Sequence, residues 1–509
     1  MDFERRALLG TALAGATLAA VSGRAAAAAA DETIEAWVDL RRLAGPLPHI
    51  WKESVGSDRA AITLRETWRK DLERWRAEAG VKRVRCHGIF NDEMGVLNPS
   101  ILDMKAENPN FQNVDQVYDG LVERGVAPFV ELSFMPSKLA SGKSAFGFYK
   151  GNTSPPASTE AWVKFVQQFV AHIIQRYGLA TVRTWPIEIW NEPNLPFFWS
   201  GKQQDYFEFY KATAVAIKAM DARLQVGGPS TAAGAWLPAF TRFCEISNAP
   251  VDFFTSHAYA GDAQKELFGR DLGLRQADVI PALAKQVREQ IDASAFRGKP
   301  FWLSEWSSDS PAMIAHVIAG CLPYCQGMSQ WALSATFEEL GVPNFVLKEG
   351  DTGWGMMIRQ IAKPSFNTYK LLHQLGTDRL TADGPVLATQ RGDGKPAMMV
   401  WNLADVEQPS GIPGQSHVRV VRGSARRVSL EMRGARPGQA VAVSFVDQER
   451  GSPMPAWRAM GSPQYPTNEQ LRSLRTAADI ARPLRMRLDR RSRLSLDLPA
   501  EGVALVEFA

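Results

Sequence analysis

The 509-residue chain has few cysteines, little net charge and no long apolar run in its body. Its four cysteines (Cys86, Cys244, Cys321 and Cys325) exclude a disulfide scaffold and form no CxxC pair of the zinc-binding kind. Lys and Arg number 58 against 54 for Asp and Glu, and a net charge of +4 is too weak to indicate nucleic-acid binding. No stretch after the N-terminal segment reaches about 18 apolar residues, so we expect no membrane insertion of the mature chain.

Nucleotide-binding fingerprints are absent as well. The sequence has no strand-bounded GxGxxG and no GxxxxGK[ST], so a nucleotide-binding fold lacks its main support. Tryptophan, in contrast, is abundant at 15 residues, and carbohydrate sites use flat aromatic rings as platforms. Hydrophobic residues at 45% and charged residues at 22% are ordinary for a globular protein, which excludes a disordered or collagenous chain.

The first thirty residues have the pattern of an export signal. Arg5 and Arg6 precede a mildly apolar stretch of Ala, Leu and Gly, and small residues follow up to Ala30. The stretch is too short and too weakly apolar to span a bilayer, and the paired arginines resemble a twin-arginine signal. We therefore assign residues 1–30 to export and expect a periplasmic or secreted protein, with an ordinary secretory signal as the alternative.

Strand and helix patterns alternate eight times between residues 49 and 375. Each β-rich apolar run precedes an amphipathic pattern; in Glu66–Ala79, Leu72, Trp75 and Ala79 recur at intervals of three and four. Eight such pairs favour a (β/α)8 TIM barrel over an open doubly wound sheet. The predicted strands are His49–Val55, Val81–Phe90, Ala127–Met135, Thr184–Trp190, Leu224–Gly228, Val251–His257, Pro300–Trp306 and Met328–Thr336.

After residue 375 the pattern changes to short alternating strands separated by Gly, Pro and Asp. We predict an accessory all-β sandwich over residues 376–509, joined by an N-terminal strand from residues 31–48. Arginines are dense near the end of the chain; we favour a sheet edge guarded by charge, and an anionic partner is the alternative. The predicted strands are Ala397–Leu403, His417–Val421, Ala440–Phe445, Leu484–Leu488 and Val503–Phe508.

Polar residues at the carboxyl ends of the barrel strands carry the expected chemistry, because that face holds the active site of TIM barrels. Two carboxylates, Glu192 and Glu305, close predicted strands four and seven on opposite sides of the barrel mouth. Glycoside hydrolysis needs such a pair: an acid to protonate the leaving oxygen and a carboxylate to act at the anomeric carbon. The sequence therefore predicts a glycosidase, with no metal cluster and no cofactor.

The segments around both glutamates resemble glycoside hydrolase family 39 of clan A, which contains β-xylosidases and α-L-iduronidases. PIEIWNEPNL (Pro186–Leu195) is similar to the acid/base motif of that family, and FWLSEW (Phe301–Trp306) is similar to its nucleophile strand. The segments VRCHGIF, PFVELSFMP, SHAY and FEELGVP match further signatures, so the resemblance covers nearly the whole barrel. The sequence departs from the family at Ala335 and Thr336, where Asp-Val is more usual.

The resemblance implies roles for individual residues. Glu192 corresponds to the acid/base and Glu305 to the nucleophile of a retaining double displacement. Asn191 would bind the sugar 2-hydroxyl, and His257 and Tyr259 would flank Glu305 and keep it ionised. The other residues with an implied substrate contact are His87, Trp331, Glu338 and Glu339.

Two supporting residues have open roles. Arg85 pairs with either Glu305 or Glu188, and Trp354 either walls the pocket or lies in an exposed loop.

We predict a retaining exo-glycosidase, a β-D-xylosidase that trims xylo-oligosaccharides. Alternatives in the same class are an α-L-iduronidase, another pentosidase and an exopolysaccharide hydrolase, although no obvious Lys or Arg stands beside the motifs to bind a uronic carboxylate. A catalytically inactive carbohydrate-binding protein is the alternative from another class, and retention of both glutamates argues against it.

Overall fold

The computed structural model of the protein describes residues 32–97, 108–339, 347, 355–407 and 420–508. The predicted export segment, Trp354 and most of the predicted strand His417–Val421 lie outside these residues. Within the described part of the chain, none of the helices combines the length and the apolar character needed to cross a membrane.

Eight parallel strands close into a barrel, which confirms the predicted (β/α)8 fold. Each strand pairs with its neighbours in chain order, and the last strand pairs with the first through Gln330 and Val55. Their near-complete burial explains why most of them appear in the sequence as apolar runs. We number them β1 to β8: Ser54–Arg59, Arg83–His87, Ala127–Glu131, Pro186–Glu188, Gln225–Thr231, Phe253–Tyr259, Phe301–Ser307 and Gly327–Gln330.

Amphipathic helices follow the barrel strands. In Thr159–Tyr177 the side chain of Ser158 caps the first turn by accepting from Ala161 N, and Trp162, Phe165, Val166, Phe169, Val170 and Ile173 are its buried residues. The principal helices are Glu66–Arg74, Gln112–Val122, Thr159–Tyr177, Gln203–Met220, Leu237–Ser247, Gln276–Asp292, Pro311–Cys321 and Pro364–Leu372. Two shorter helices are Leu179–Val182 and Gln264–Phe268.

The first barrel strand lies later in the chain than the sequence predicts. The apolar run His49–Val55 is predicted as a strand, but Ile50–Lys52 forms a 3-10 turn and the strand is Ser54–Arg59. Its sequence, SVGSDR, contains a single large apolar side chain, so hydropathy does not reveal it, although all six residues are buried. As a consequence, Asp58 and Arg59 end a barrel strand at the face where the sequence predicts the site.

The other main strands form one nine-stranded sheet. Thr33–Pro46 lies within it, antiparallel to Asp378–Asp383 and parallel to Arg426–Arg433. Apolar side chains from across this sheet share one core cluster that is separate from the barrel core, so the sheet curls over on itself. In spatial order the strands are Leu484–Arg487, Ala440–Val446, Val503–Phe508, Pro396–Trp401, Val386–Gln390, Asp378–Asp383, Thr33–Pro46, Arg426–Arg433 and Arg493–Leu498.

Buried hydrogen bonds tie the sheet region to the helical flank of the barrel. Asn367 Nδ2 donates to the carbonyls of Gly451 and Ala478 at 2.9 and 2.7 Å. The sheet region also contains two helices, Met454–Ala459 and Asn468–Ala477, which the strand pattern did not predict. Three short antiparallel strand pairs lie outside the two main sheets: Ala145–Phe146 with Gly151–Asn152, Met357–Ile358 with Ile361–Ala362, and Asp405–Glu407 with Val420–Arg422.

Candidate active site

Glu192 lies just past the end of β4, where the chain leaves the barrel in a tight turn. Trp190 and Glu192 have positive φ angles of 75° and 43°, in a backbone region that non-glycine residues rarely adopt. The Trp190 indole donates to Phe198 O at 2.8 Å, and Glu192 N donates to Ser230 O at 2.8 Å. These contacts hold the strained turn, in which Asn191 and Glu192 both reach partners at the barrel mouth although they are adjacent in sequence.

Glu305 extends from β7 and is surrounded by donors. The Tyr259 hydroxyl, on β6, donates to Glu305 Oε1. Arg85 Nη1, on β2, donates to Glu305 Oε2 at 3.2 Å, and His87 Nε2 lies 4.0 Å from the same oxygen. The hydroxyl donor and the cation are both directed at this carboxyl group, and both would stabilise the negative charge with which a carboxylate attacks a carbon atom.

Arg85 is completely buried and links the groups at the base of the site. Its Nε donates to Glu188 Oε2 at 2.7 Å, and its Nη2 donates to Asn191 Oδ1 at 2.9 Å and lies 2.8 Å from Glu131 Oε2. Arg85 therefore contacts both Glu188 and Glu305, the two partners between which the sequence left the choice open. Although burial opposes the charge, the Glu131, Glu188 and Glu305 carboxylates raise the pKa of Arg85 above its usual value.

Glu192 has a different environment, with a neutral imidazole as its partner. His257 Nδ1 lies 2.8 Å from Glu192 Oε1, and His257 Nε2 lies 3.3 Å from Arg85 Nη2. Because a guanidinium only donates, His257 Nε2 accepts and Nδ1 carries the proton that is donated to Glu192. Burial lowers the pKa of His257 to about 4, in keeping with a neutral ring. Burial also raises the pKa of Glu192 to about 7, so this carboxyl group holds a proton close to neutral pH.

This geometry changes the expected role of His257. The sequence places it beside Glu305, but its hydrogen bond goes to Glu192, and His257 Nδ1 is 3.8 Å from Glu305 Oε2. The reason is the turn after β4, which brings Glu192 over the end of β6. Tyr259 does contact Glu305, as expected.

The two carboxyl groups are close to each other. One oxygen of Glu192, one oxygen of Glu305 and a ring nitrogen of His257 all lie within 4.8 Å of one another. This spacing is near the separation of about 5–5.5 Å that allows direct attack, and well below the roughly 6.5–9.5 Å that leaves room for an intervening water. The same three atoms could approach a metal ion, but the Arg85 cation already occupies one side of Glu305 and would repel a second cation.

Asn191 and His87 offer polar groups beside the two glutamates. Asn191 Nδ2 is buried and has no hydrogen-bond partner among the described residues, so a bound hydroxyl group would satisfy it. Although burial opposes the charged form, the Glu131 carboxylate, 2.8 Å from His87 Nδ1, raises the pKa of His87 to about 9. The ring centroids of Trp331 and His87 are 4.7 Å apart, and the Trp331 side chain is fully buried.

The adjacent residues Glu338 and Glu339 have unlike surroundings. Glu338 accepts from both Nη atoms of Arg65, with Nη2 at 2.8 Å, and from Arg59 Nη2 at 3.1 Å. Among the described residues no guanidinium pairs with Glu339, and burial, which outweighs the nearby His87, raises its pKa well above the usual value, so it holds a proton. A protonated carboxyl group can donate a hydrogen bond to a ligand, whereas the Glu338 oxygens already accept from two guanidinium groups.

Sequence reasoning missed four charged residues that surround the groups with a predicted substrate contact. Asp58 and Arg59 end β1, the strand that hydropathy misplaced, and Arg65 follows shortly after it. Glu131 ends β3 and pairs with both His87 and Arg85. The sequence did contain a signal for three of them: SVGSDR and APFVE both end in charged residues, and reading these as strand ends would have placed Asp58, Arg59 and Glu131 at the site.

Comparison with known proteins shows extensive similarity. The sequence model described as Glycosyl hydrolases family 39 matches residues 35–488. The chain is 31% identical over 480 residues to a β-xylosidase of Geobacillus stearothermophilus, covering 90% of this chain and 92% of that protein. It is 25% identical over 466 residues to the α-L-iduronidase of Homo sapiens, covering 79% of this chain and 65% of that protein.

A solved structure extends the similarity to the complete fold. The crystal structure of a monomeric β-xylosidase from Caulobacter crescentus CB15 is 32% identical to this chain and has a TM-score of 0.80. The match covers 94% of this chain and 99% of that structure, so it includes both the barrel and the nine-stranded sheet.

Proposed function

The chain belongs to glycosyl hydrolase family 39 and is a glycoside hydrolase, and on this basis we propose that it cleaves the β-xylosidic bonds of xylo-oligosaccharides. The proposed reaction is a retaining double displacement with Glu305 as nucleophile and Glu192 as acid/base. The observation that carries this proposal is the contrast between two adjacent buried carboxyl groups. A cation and a phenol stabilise charge on Glu305, while burial keeps a proton on Glu192.

In the first step, a Glu305 oxygen forms a bond to the anomeric carbon as the bond from that carbon to the leaving oxygen breaks. Glu192 transfers its proton to the leaving oxygen. In the second step, the ionised Glu192 takes a proton from a water molecule whose oxygen attacks the same carbon, and Glu305 is released as a carboxylate. A pKa of about 7 for Glu192 suits a group that must act once as an acid and once as a base.

Neighbouring residues support the transition state in this proposal. Asn191 Nδ2, which has no partner among the described residues, can donate to the sugar 2-hydroxyl, a contact that strengthens in the transition state. His87, held as a cation by Glu131, and the Trp331 ring border the position of the same sugar. The residues that hold Asn191 and His87 are themselves buried, so these side chains are already in position before substrate binds.

The charge balance near Glu338 supports a neutral pentose over a uronic acid. Arg59 Nε lies 2.7 Å from Glu93, and Arg59 Nη1 lies 3.7 Å from Asp58. The cluster therefore contains two cations, Arg59 and Arg65, and three carboxyl groups, those of Asp58, Glu93 and Glu338. Burial raises the pKa of Asp58, and if Asp58 is protonated the two cations face two carboxylates. Among the described residues of this cluster, no surplus positive charge is left to bind the carboxylate of iduronate.

A panel of aryl glycosides tests the proposed substrate. We expect aryl β-D-xyloside to be cleaved much faster than aryl α-L-iduronide or an aryl glycoside of another pentose, with kcat/KM as the measure. The opposite ranking would contradict the xyloside preference and leave the family and fold intact. Binding of xylo-oligosaccharides by the wild-type protein without cleavage of any glycoside would support the inactive carbohydrate-binding alternative.

A further inference from the structure

A row of phenylalanine rings leads away from the acid/base, and the proposed mechanism does not use it. Phe197 and Phe198 follow Glu192 in one tight loop, in which Leu195 N donates to Glu192 O at 2.9 Å and Phe198 N donates to Leu195 O at 2.9 Å. Phe146 comes from the loop after β3 and packs against both rings. The row is therefore built on the segment that positions Glu192.

The rings form a continuous surface from the pocket to solvent. The ring centroids of His87 and Phe198 are 6.1 Å apart, and those of Phe198 and Phe146 are 4.2 Å apart. Phe146 stacks on Phe197 with centroids 5.5 Å apart and an angle of 26° between the rings. Exposure rises along the row from 4% at Phe198 to 47% at Phe197, so its outer end is open to a ligand.

The row is fixed in place by the opposite side of the pocket. In the loop that carries Phe146, Phe148 N donates to Glu339 O at 2.8 Å. Gly147 has a φ of 76°, and a Cβ there would come within 3.1 Å of Glu339 O, so this close approach requires glycine. A single exposed phenylalanine needs no explanation, but stacked rings that are anchored to the substrate-contacting loop do.

We propose that Phe146 and Phe197 form the aglycone subsite, which binds a ring with an apolar face attached to the glycosidic oxygen. The inference rests on the proposed role of Glu192, because the group that receives its proton must lie on the Glu192 side of the sugar. Phenylalanine offers no hydrogen-bond donor, so the surface recognises the face of a ring. An aromatic leaving group and a second pyranose both present such a face.

Three xylosides with different leaving groups test the proposal. β-Xylosyl fluoride has no aglycone ring, 4-nitrophenyl β-xyloside has an aromatic ring, and xylobiose has a sugar ring. We expect Phe197→Ala and Phe146→Ala to lower kcat/KM for the two ring-bearing substrates by about 3- to 10-fold, the range of one aromatic contact. Activity on the fluoride should stay within about twofold, and Phe197→Trp should retain the wild-type values.

Tyr465→Ala is the matched control, because Tyr465 is a 68% exposed aromatic residue in the sheet region. It should leave all three substrates unaffected. A loss confined to the aryl substrate or to xylobiose supports the subsite and identifies its ligand as aromatic or sugar. An equal loss on the fluoride would mean that the rings only support the Glu192 loop, and unchanged activity on all three substrates would exclude the contact; either result overturns the proposal.

Failure of the proposed function has a separate signature. If the wild-type protein cleaves none of the three xylosides, the xylosidase proposal fails before any phenylalanine is changed. The same comparison then uses the fluoride and the nitrophenyl glycoside of the sugar that it does cleave. Loss on the nitrophenyl glycoside alone supports the subsite there too, and equal effects on both overturn it.

Discussion

The two sides of the barrel mouth give the same side chain opposite surroundings. Glu305 faces the guanidinium of Arg85 from β2 and the phenol of Tyr259 from β6. Glu192 lies in a loop that backbone contacts hold in place, and it faces the neutral imidazole of His257. Both carboxyl groups are buried, with exposures of 5% and 7%, so burial alone does not distinguish them. The difference lies in the charge of the neighbours, which is how one residue type can serve as nucleophile and as acid.

Arg85 connects the two sides. It donates directly to Glu305, and on the other side it donates to His257 Nε2, which fixes the proton of that ring on Nδ1 toward Glu192. One buried cation thus supplies positive charge beside Glu305 and, through the neutral His257 ring, orients the hydrogen bond that Glu192 accepts. The contrast between the two glutamates therefore depends on a shared residue.

Removal of Glu305 should have the largest effect. Glu305→Ala deletes the attacking atom, so we expect turnover to be abolished on every substrate, including activated aryl xylosides. Azide can attack the anomeric carbon directly in this variant and should yield the α-glycosyl azide. Thermal unfolding like that of the wild type is the control for folding, and substantial remaining turnover would show that Glu305 is not the nucleophile.

Removal of Glu192 should be less damaging and depend on the leaving group. Glu192→Ala should spare the first step for an activated aryl xyloside, which needs no protonation, and slow the base-assisted second step. Azide should accelerate this variant and give the β-glycosyl azide, because it attacks the intermediate held by Glu305. Product anomers opposite to those expected for the two variants would reverse the two assignments.

Removal of one donor to Glu305 tests its environment more finely. Tyr259→Phe keeps the ring and deletes the hydroxyl, and a hydrogen bond to a charged group is worth about 1.5–3 kcal/mol, so kcat should fall by about 10- to 100-fold. Tyr369→Phe is the matched control, since its buried hydroxyl donates to Gln330 Oε1 at 3.0 Å within the barrel. Equal losses of kcat in the two variants would reveal a structural effect.

The smallest expected effect is on the pH dependence of kcat/KM. The first step needs the proton of Glu192, whose pKa burial raises to about 7, so kcat/KM should decline as pH rises through about 7. This alkaline limb should be strong with xylobiose, whose leaving group needs the proton, and weak with an activated aryl xyloside, which needs none; the matched variant Tyr369→Phe should show the same contrast. An alkaline limb that is equally strong with both substrates would belong to another group.

The sequence was sufficient to locate the two glutamates and the barrel. Parallel strands buried on both faces leave apolar runs, and polar residues that follow such runs converge at one end of the barrel. For that reason the strand pattern and the family motifs were enough to predict that Glu192, Glu305 and Tyr259 lie together at one end of the barrel. Their closeness in space follows from the closure of the barrel.

The charged surroundings of the site were less accessible. Strand β1 consists mainly of polar residues, so Asp58 and Arg59 were not recognised as active-site neighbours. The partner of His257 depends on the positive φ of Glu192, a backbone feature that strand alternation cannot indicate. Arg85 contacts both candidate carboxylates because burial brings them together, a result that pairwise sequence reasoning could not reach.

Trapping of the glycosyl–enzyme intermediate tests the central claim most directly. A 2-deoxy-2-fluoro-β-xyloside with an activated leaving group slows the second step, so the covalent adduct accumulates and can be mapped by mass spectrometry of the digested protein. Our account predicts one adduct, on Glu305, and none in Glu305→Ala. An adduct on Glu192, or inverted product from the unmodified enzyme with no adduct, would contradict it.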